Sequence, residues 1–130
     1  MKIALFIILF FTTNSYFTQV HLQLDTILSK SQEPLKVEKI GGDSLTTSFV
    51  ISIKQGVKKH FHKEHSETIY IIEGQGKMLL GEKTISIKKG DYIFIPKNTS
   101  HKVDVTSEIP LKVLSIQSPY FDGKDRFLLE

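Results

Sequence analysis

From Thr47 onward the chain alternates between apolar and polar residues in short runs. TSFVISIK, VKKHFH, TIYIIEG, KMLL, TISIKKG, DYIFIP, HKVDV and LKVLSIQ follow one another, and Ile85-Ser86-Ile87 shows the pattern in its shortest form. A period of two puts the apolar set on one face of an extended segment, so these runs predict strands with one side in a core. Gln55-Gly56, Gly74-Gln75-Gly76, Gly81-Glu82-Lys83 and Lys97-Asn98-Thr99-Ser100 separate the runs with turn chemistry. No helical period appears after the N-terminal run. Short strands at this spacing predict an all-β antiparallel sandwich or barrel. Ahead of it, VHLQL alternates and PLKVEKI reads as a second strand, an N-terminal arm of strands over residues 20–43. The barrel is expected over 44–118 and a C-terminal tail over 119–130.

The first residues follow a different rule. Met1-Lys2 precedes the apolar run IALFIILFF and then the small and polar stretch TTNSYFTQ. That order of parts is the order of a secretory signal peptide, assigned here to residues 1–19. The run is far short of the roughly 20 apolar residues that cross a bilayer. The expected mature protein is secreted or periplasmic, with no membrane contact after cleavage. Its 130-residue precursor has a one-domain length and contains no cysteine, so neither a disulfide nor a thioether lipid anchor is available.

Charge narrows the partners. The net charge is +3, and Arg126 is the only arginine among 17 basic residues. The lysines are scattered through strands and turns without forming a stripe, which argues against a nucleic-acid partner. A lone arginine also argues against a site built on several bidentate phosphate clamps.

Chemistry concentrates in HFHKEHSE, His60 to Glu67, which holds three of the five histidines. On a strand His60 and His62 share a face, so their rings converge. Glu67 opens the next strand after a short turn and can swing back toward the pair. The one histidine further downstream is His101, at the start of HKVDV. The bland alternative is a polar loop with buried, hydrogen-bonded imidazoles. Each buried polar group left without a partner costs about 1–3 kcal/mol, so a cluster of them calls for a metal, waters or mutual pairing. His65 and Glu64 read as solvated loop residues, and His21 as inert.

These spacings resemble the cupin family. Its first motif pairs HxH with a glutamate and then a glycine; His60-x-His62, Glu67 and Gly74 reproduce that register. Its second motif runs from a glycine through a proline and a glycine to a histidine; Gly90, Pro96, Asn98 and His101 follow it, with Asn98 in place of the second glycine. Asparagine is the next residue most tolerant of a left-handed backbone. The likeness covers Gly56 to about Ile116. Gly56 stands three residues before HxH where the family has five, and Val105 replaces an asparagine, which puts loop geometry in question and leaves the ligand types intact.

The resemblance implies a double-stranded β-helix (jelly-roll) barrel. It also implies a divalent metal held by His60, His62, Glu67 and His101, with iron, manganese, nickel, copper and zinc all compatible with the ligand set. A small, oxygen-rich ligand or substrate is implied inside the barrel, with oxygenase or isomerase chemistry open to it. The alternative is a non-catalytic metal- or sugar-binding module. Glu64, His65, Tyr70 and Tyr92 are the candidate acid–base groups. The tail and GEKTISIKKGDYIFIPKNTSHKV also look like the cupin domain of class II mannose-6-phosphate isomerases, but an export signal and a single arginine argue against a cytosolic phosphosugar. Small cupins tend to pair through their sheets, so a homodimer is expected.

Overall fold

A computed structural model describes residues 19–130; the signal segment expected over 1–19 lies outside them except for Gln19. Among the described residues there is no helix long and apolar enough to cross a membrane. The described residues form ten strands in chain order: β1 (Leu35–Gly42), β2 (Thr47–Ile53), β3 (Gly56–Phe61), β4 (Ser66–Glu73), β5 (Gln75–Leu80), β6 (Lys83–Lys88), β7 (Tyr92–Ile95), β8 (His101–Val105), β9 (Leu111–Ser118) and β10 (Phe127–Leu128). They form two five-stranded sheets, β1-β2-β9-β4-β7 and β10-β3-β8-β5-β6. Every pairing is antiparallel.

The alternation in the sequence becomes the two faces of these sheets. Ile69 and Ile71 of β4, Ile93 and Ile95 of β7, and Leu111 and Val113 of β9 point between the sheets, where they meet Met78, Ile87 and Val103 from the opposite layer. Ile71, Ile95 and Leu111 are almost wholly shielded from solvent. Fully burying such a side chain contributes about 1.5–3 kcal/mol, which makes this layer the main source of stability. At the other end of the same interior the inner positions turn polar: Glu67 on β4, Ser115 and Gln117 on β9, His60 on β3 and His101 on β8. The barrel therefore has an apolar body and a polar end.

Three local features differ from the pattern or explain it. VHLQL is not a strand. Its residues precede a series of turns closed by Thr26 N–H to Gln23 O and Ser29 N–H to Thr26 O, and buried Lys112 donates to Asp25 O. Alternation supplied the face but these local bonds took the backbone groups that a ladder needs. The short spacing from Gly56 to the histidine pair is absorbed by an irregularity between Val57 and His60, where β3 slips against β8. Asn98 has φ +61°, the left-handed conformation that its glycine-like position requires. Its N–H donates 2.7 Å to His62 O, tying the turn before β8 to the chain after β3.

Candidate metal centre

Register brings the histidines together. His60 on β3 lies directly opposite His101 on β8, and facing residues of an antiparallel pair hold their Cβ atoms about 4.5–5.5 Å apart. Their ring centroids are 4.2 Å apart. His62, two residues along and just past the end of β3, turns to the same side, with its ring 5.2 Å from His60 and 5.4 Å from His101. One ring nitrogen from each of the three lies within 4.8 Å of the other two, an arrangement that could hold a metal ion. Glu67 comes from the other sheet. Its Oε2 sits 3.2 Å from His101 Nε2 and 3.5 Å from His62 Nε2.

The backbone decides which nitrogen each imidazole offers. His60 Nδ1 faces Lys58 O at 2.8 Å, His101 Nδ1 faces Thr99 O at 3.0 Å, and His62 Nδ1 is in close contact with Asp125 O. A carbonyl oxygen only accepts, so each Nδ1 must carry the proton and donate it. In a neutral ring that leaves a lone pair on Nε2. Nε2 of His62 and of His101 is buried and has no hydrogen-bond partner. Metal-bound histidines are held in one tautomer by this kind of contact from the other ring nitrogen.

Glu67 is equally committed. Ser115 Oγ–H donates to its Oε1 at 2.5 Å, which leaves Oε2 turned toward the two Nε2 atoms. Burial pushes this carboxyl up, but the His101 and His62 rings and the Ser115 hydroxyl outweigh it and hold the group well below the ordinary carboxylate range. Burial and the neighbouring His101 lower His60 to about 4. At His62 burial pulls downward, yet Glu67 and the Asp125 carbonyl prevail and its pKa lies above the ordinary histidine value. An ionised oxygen facing two ring lone pairs is repulsive unless a positive particle lies between them. A proton on His62 or a metal cation meets that need, and the donor set of imidazole nitrogens and one carboxylate fits a divalent ion.

The tail completes the site, which sequence reasoning missed. β10 pairs with β3, and just before it Asp125 folds onto the loop between β3 and β4. The Asp125 carboxylate accepts N–H bonds from Lys63 (2.9 Å), Glu64 (2.8 Å) and His65 (3.1 Å) and a bond from His65 Nδ1. His65 is thus buried, with Nε2 on Tyr120 O at 2.9 Å, and is not the solvated loop residue that its polar neighbours suggest. It does not join the three-histidine group; it anchors the tail segment whose carbonyl orients His62. Tyr70 and Tyr92, expected as acid–base candidates, lie on the outer face, 42% and 67% exposed, because their positions on β4 and β7 are out of phase with Glu67 and Ile95. Glu64 is exposed on its loop, and neither it nor His65 lines the barrel interior.

That interior is a cavity of about 480 Å³, within the roughly 300–1,000 Å³ usual for small-molecule sites. Phe49, Ile51, Ile69, Val113 and Phe121 wall most of it, and the histidine–glutamate cluster forms its polar end. Tyr120, Asp122 and Arg126 of the tail also line it.

Fold and site together define a two-sheet β-barrel with a buried histidine cluster. Residues 49–117 match the family model for the cupin domain, and the chain belongs to that family. It is 35% identical over 100 residues to an uncharacterised protein of Aquifex aeolicus, covering 77% of this chain and 82% of the relative. It is 29% identical over 82 residues to a quercetin 2,3-dioxygenase of Bacillus subtilis, covering 56% of this chain and 24% of that enzyme. Among solved structures, a conserved protein with a double-stranded β-helix domain from Klebsiella pneumoniae superposes with a TM-score of 0.73 at 17% identity, covering 87% of this chain and 99% of the other.

Proposed function

We propose that this is an exported cupin that holds one divalent cation through His60, His62, His101 and Glu67 and binds a small oxygen-bearing molecule beside it. The observation that carries the reading is the commitment of all three Nδ1 atoms to backbone carbonyls, which leaves Nε2 of each neutral ring free for a cation next to the Glu67 carboxylate. When bound, such an ion supplies Lewis-acid or oxygen-activating chemistry at the polar end of the cavity. The chain's own contribution is to fix the tautomers, hold Glu67 ionised through the His101 and His62 rings and the Ser115 hydroxyl, and present an apolar wall that excludes water from the bound molecule. The likeness to a quercetin dioxygenase supports an oxygenase as one form of this activity. Export is supported by the order of parts over Met1–Gln19. A homodimer is supported by the exposed Tyr70, Tyr92 and Phe94 on the outer face of β4 and β7.

A non-catalytic binding module is the second reading. It is favoured by the placement of Tyr70, Tyr92 and Glu64 outside the cavity, since these were the free acid–base candidates. Titration calorimetry with zinc, manganese and nickel tests the shared core of both readings. His60→Ala and Glu67→Ala are expected to weaken binding at least about tenfold while leaving the folded spectrum unchanged; wild-type affinity in either variant defeats the assignment. Turnover of a bound molecule then separates enzyme from module.

A further inference from the structure

Arg126 is the only arginine of the chain, and it lines the cavity that contains the histidine–glutamate cluster. The other cationic groups along this cavity have partners: Lys102 pairs with Asp104 at 3.0 Å, and the Lys39 ammonium stands over the Tyr120 ring. Asp122, an acid on the same rim, is paired with Lys124 at 3.2 Å. Among the described residues the Arg126 side chain makes no ion pair within 4.0 Å. The residue is exposed at the rim, yet partial desolvation still lowers its pKa, and Glu67 is the one carboxylate whose charge raises it in return.

Gln117 sits opposite Glu67 in the β9–β4 pairing, is 4% exposed, and lines the same cavity. Its Oε1 is buried with no hydrogen-bond partner. A buried acceptor left unsatisfied costs about as much as a lost hydrogen bond, so the position calls for a hydrogen-bond donor supplied from outside the chain.

We propose that Arg126 and Gln117 form a subsite for the carboxylate end of an organic acid whose remaining body is apolar. The proposal rests on the metal reading above and names the ligand class for that site: a 2-hydroxy acid with a hydrophobic side chain. Arg126 donates to a carboxylate oxygen, Gln117 Oε1 accepts from the neighbouring hydroxyl, and the side chain packs on Phe49, Ile51 and Phe121. A sugar fits this chamber poorly, because its hydroxyls would lose their bonds to water against an aliphatic wall. Arginine suits the task because its planar fork matches a carboxylate, and a hydrogen bond with both partners charged is roughly twice as strong as a neutral one.

The test uses full-length mature protein loaded with zinc, with metal content measured on the same sample. 3-Phenyllactate and its uncharged amide are titrated into wild type and Arg126→Gln. Wild type is expected to bind the acid at least about tenfold more tightly than the amide, and the substitution to shrink that ratio at least about fivefold at unchanged zinc content and melting temperature. Equal affinity for acid and amide, no binding of the acid, or an unchanged ratio in the variant overturns the subsite and leaves the metal centre standing. A wild-type sample that takes up no zinc overturns the metal reading, and this subsite with it.

Discussion

His62 carries two loads at once. Its Nδ1 proton is held by the Asp125 carbonyl, and its Nε2 faces Glu67. In the metal-free protein Glu67 favours a proton on that nitrogen, and the pKa of His62 is raised accordingly. A cation must displace this proton, so metal affinity is flat above the raised pKa of His62 and falls as pH drops through it, by about tenfold per pH unit for one displaced proton. The decline begins above 6.5, the ordinary histidine value, whereas His60, lowered to about 4, adds its own proton only in strong acid. Calorimetric affinities measured across neutral pH check this; a curve that stays flat down to about pH 5 contradicts coordination by His62. At this scale much was legible. His60, His62 and Glu67 stand out through their spacing around one turn, and His101 through the resemblance to the second cupin motif. Ser115 and Gln117 left a fainter signal, as polar residues at the inward positions of LKVLSIQ where the alternation asks for apolar ones. Asp125 and Arg126 left none, since a tail that folds back over the barrel writes no period into its own sequence.

Among elements, the tail segment before β10 acts as a strap across the mouth of the barrel. Asp125 ties three successive backbone N–H groups and His65, and by the same residue's carbonyl fixes His62. Asp125→Ala keeps that carbonyl and removes only the carboxylate, so it isolates the strap. Second-layer partners of this kind are worth about 10–100-fold in metal affinity, and a loss of about tenfold is expected here with the barrel still folded. Wild-type affinity in the variant shows that the strap plays no part in positioning His62. The glycine turns make a second, independent check. At Gly74 (φ +82°) a Cβ would lie 2.6 Å from Pro110 O and 2.8 Å from Leu111 Cα, whereas at Gly90 (φ +92°) nothing stands within 4 Å. Gly90→Ala meets backbone strain alone, about 1 kcal/mol, while Gly74→Ala adds a backbone collision and is expected to cost at least about 2 kcal/mol. Urea denaturation measures both, and equal losses contradict the packing described around β4, β5 and β9. The strands from β2 to β9 were legible because half-buried strands display their period directly. VHLQL displayed the same period without becoming a strand, and β10, two residues long, is too short to show one.

At the scale of the molecule, the ten strands of the described residues close around a cavity that is apolar along its length and polar at the end where the two sheets bring β3, β8 and β4 together. Membership of the cupin family accounts for that layout. On that layout this chain carries the strap, the Ser115 contact that holds Glu67, and an unpaired arginine lining the cavity. Its central claim is that three Nε2 atoms and one carboxylate oxygen meet on a single cation. The most direct measurement is an anomalous difference map from crystals of the mature protein grown with zinc and recorded at the zinc edge. The account expects one strong peak per chain, contacted by Nε2 of His60, His62 and His101 and by a Glu67 oxygen. A map with no peak there, or with zinc held at Nδ1 or without His101, contradicts it.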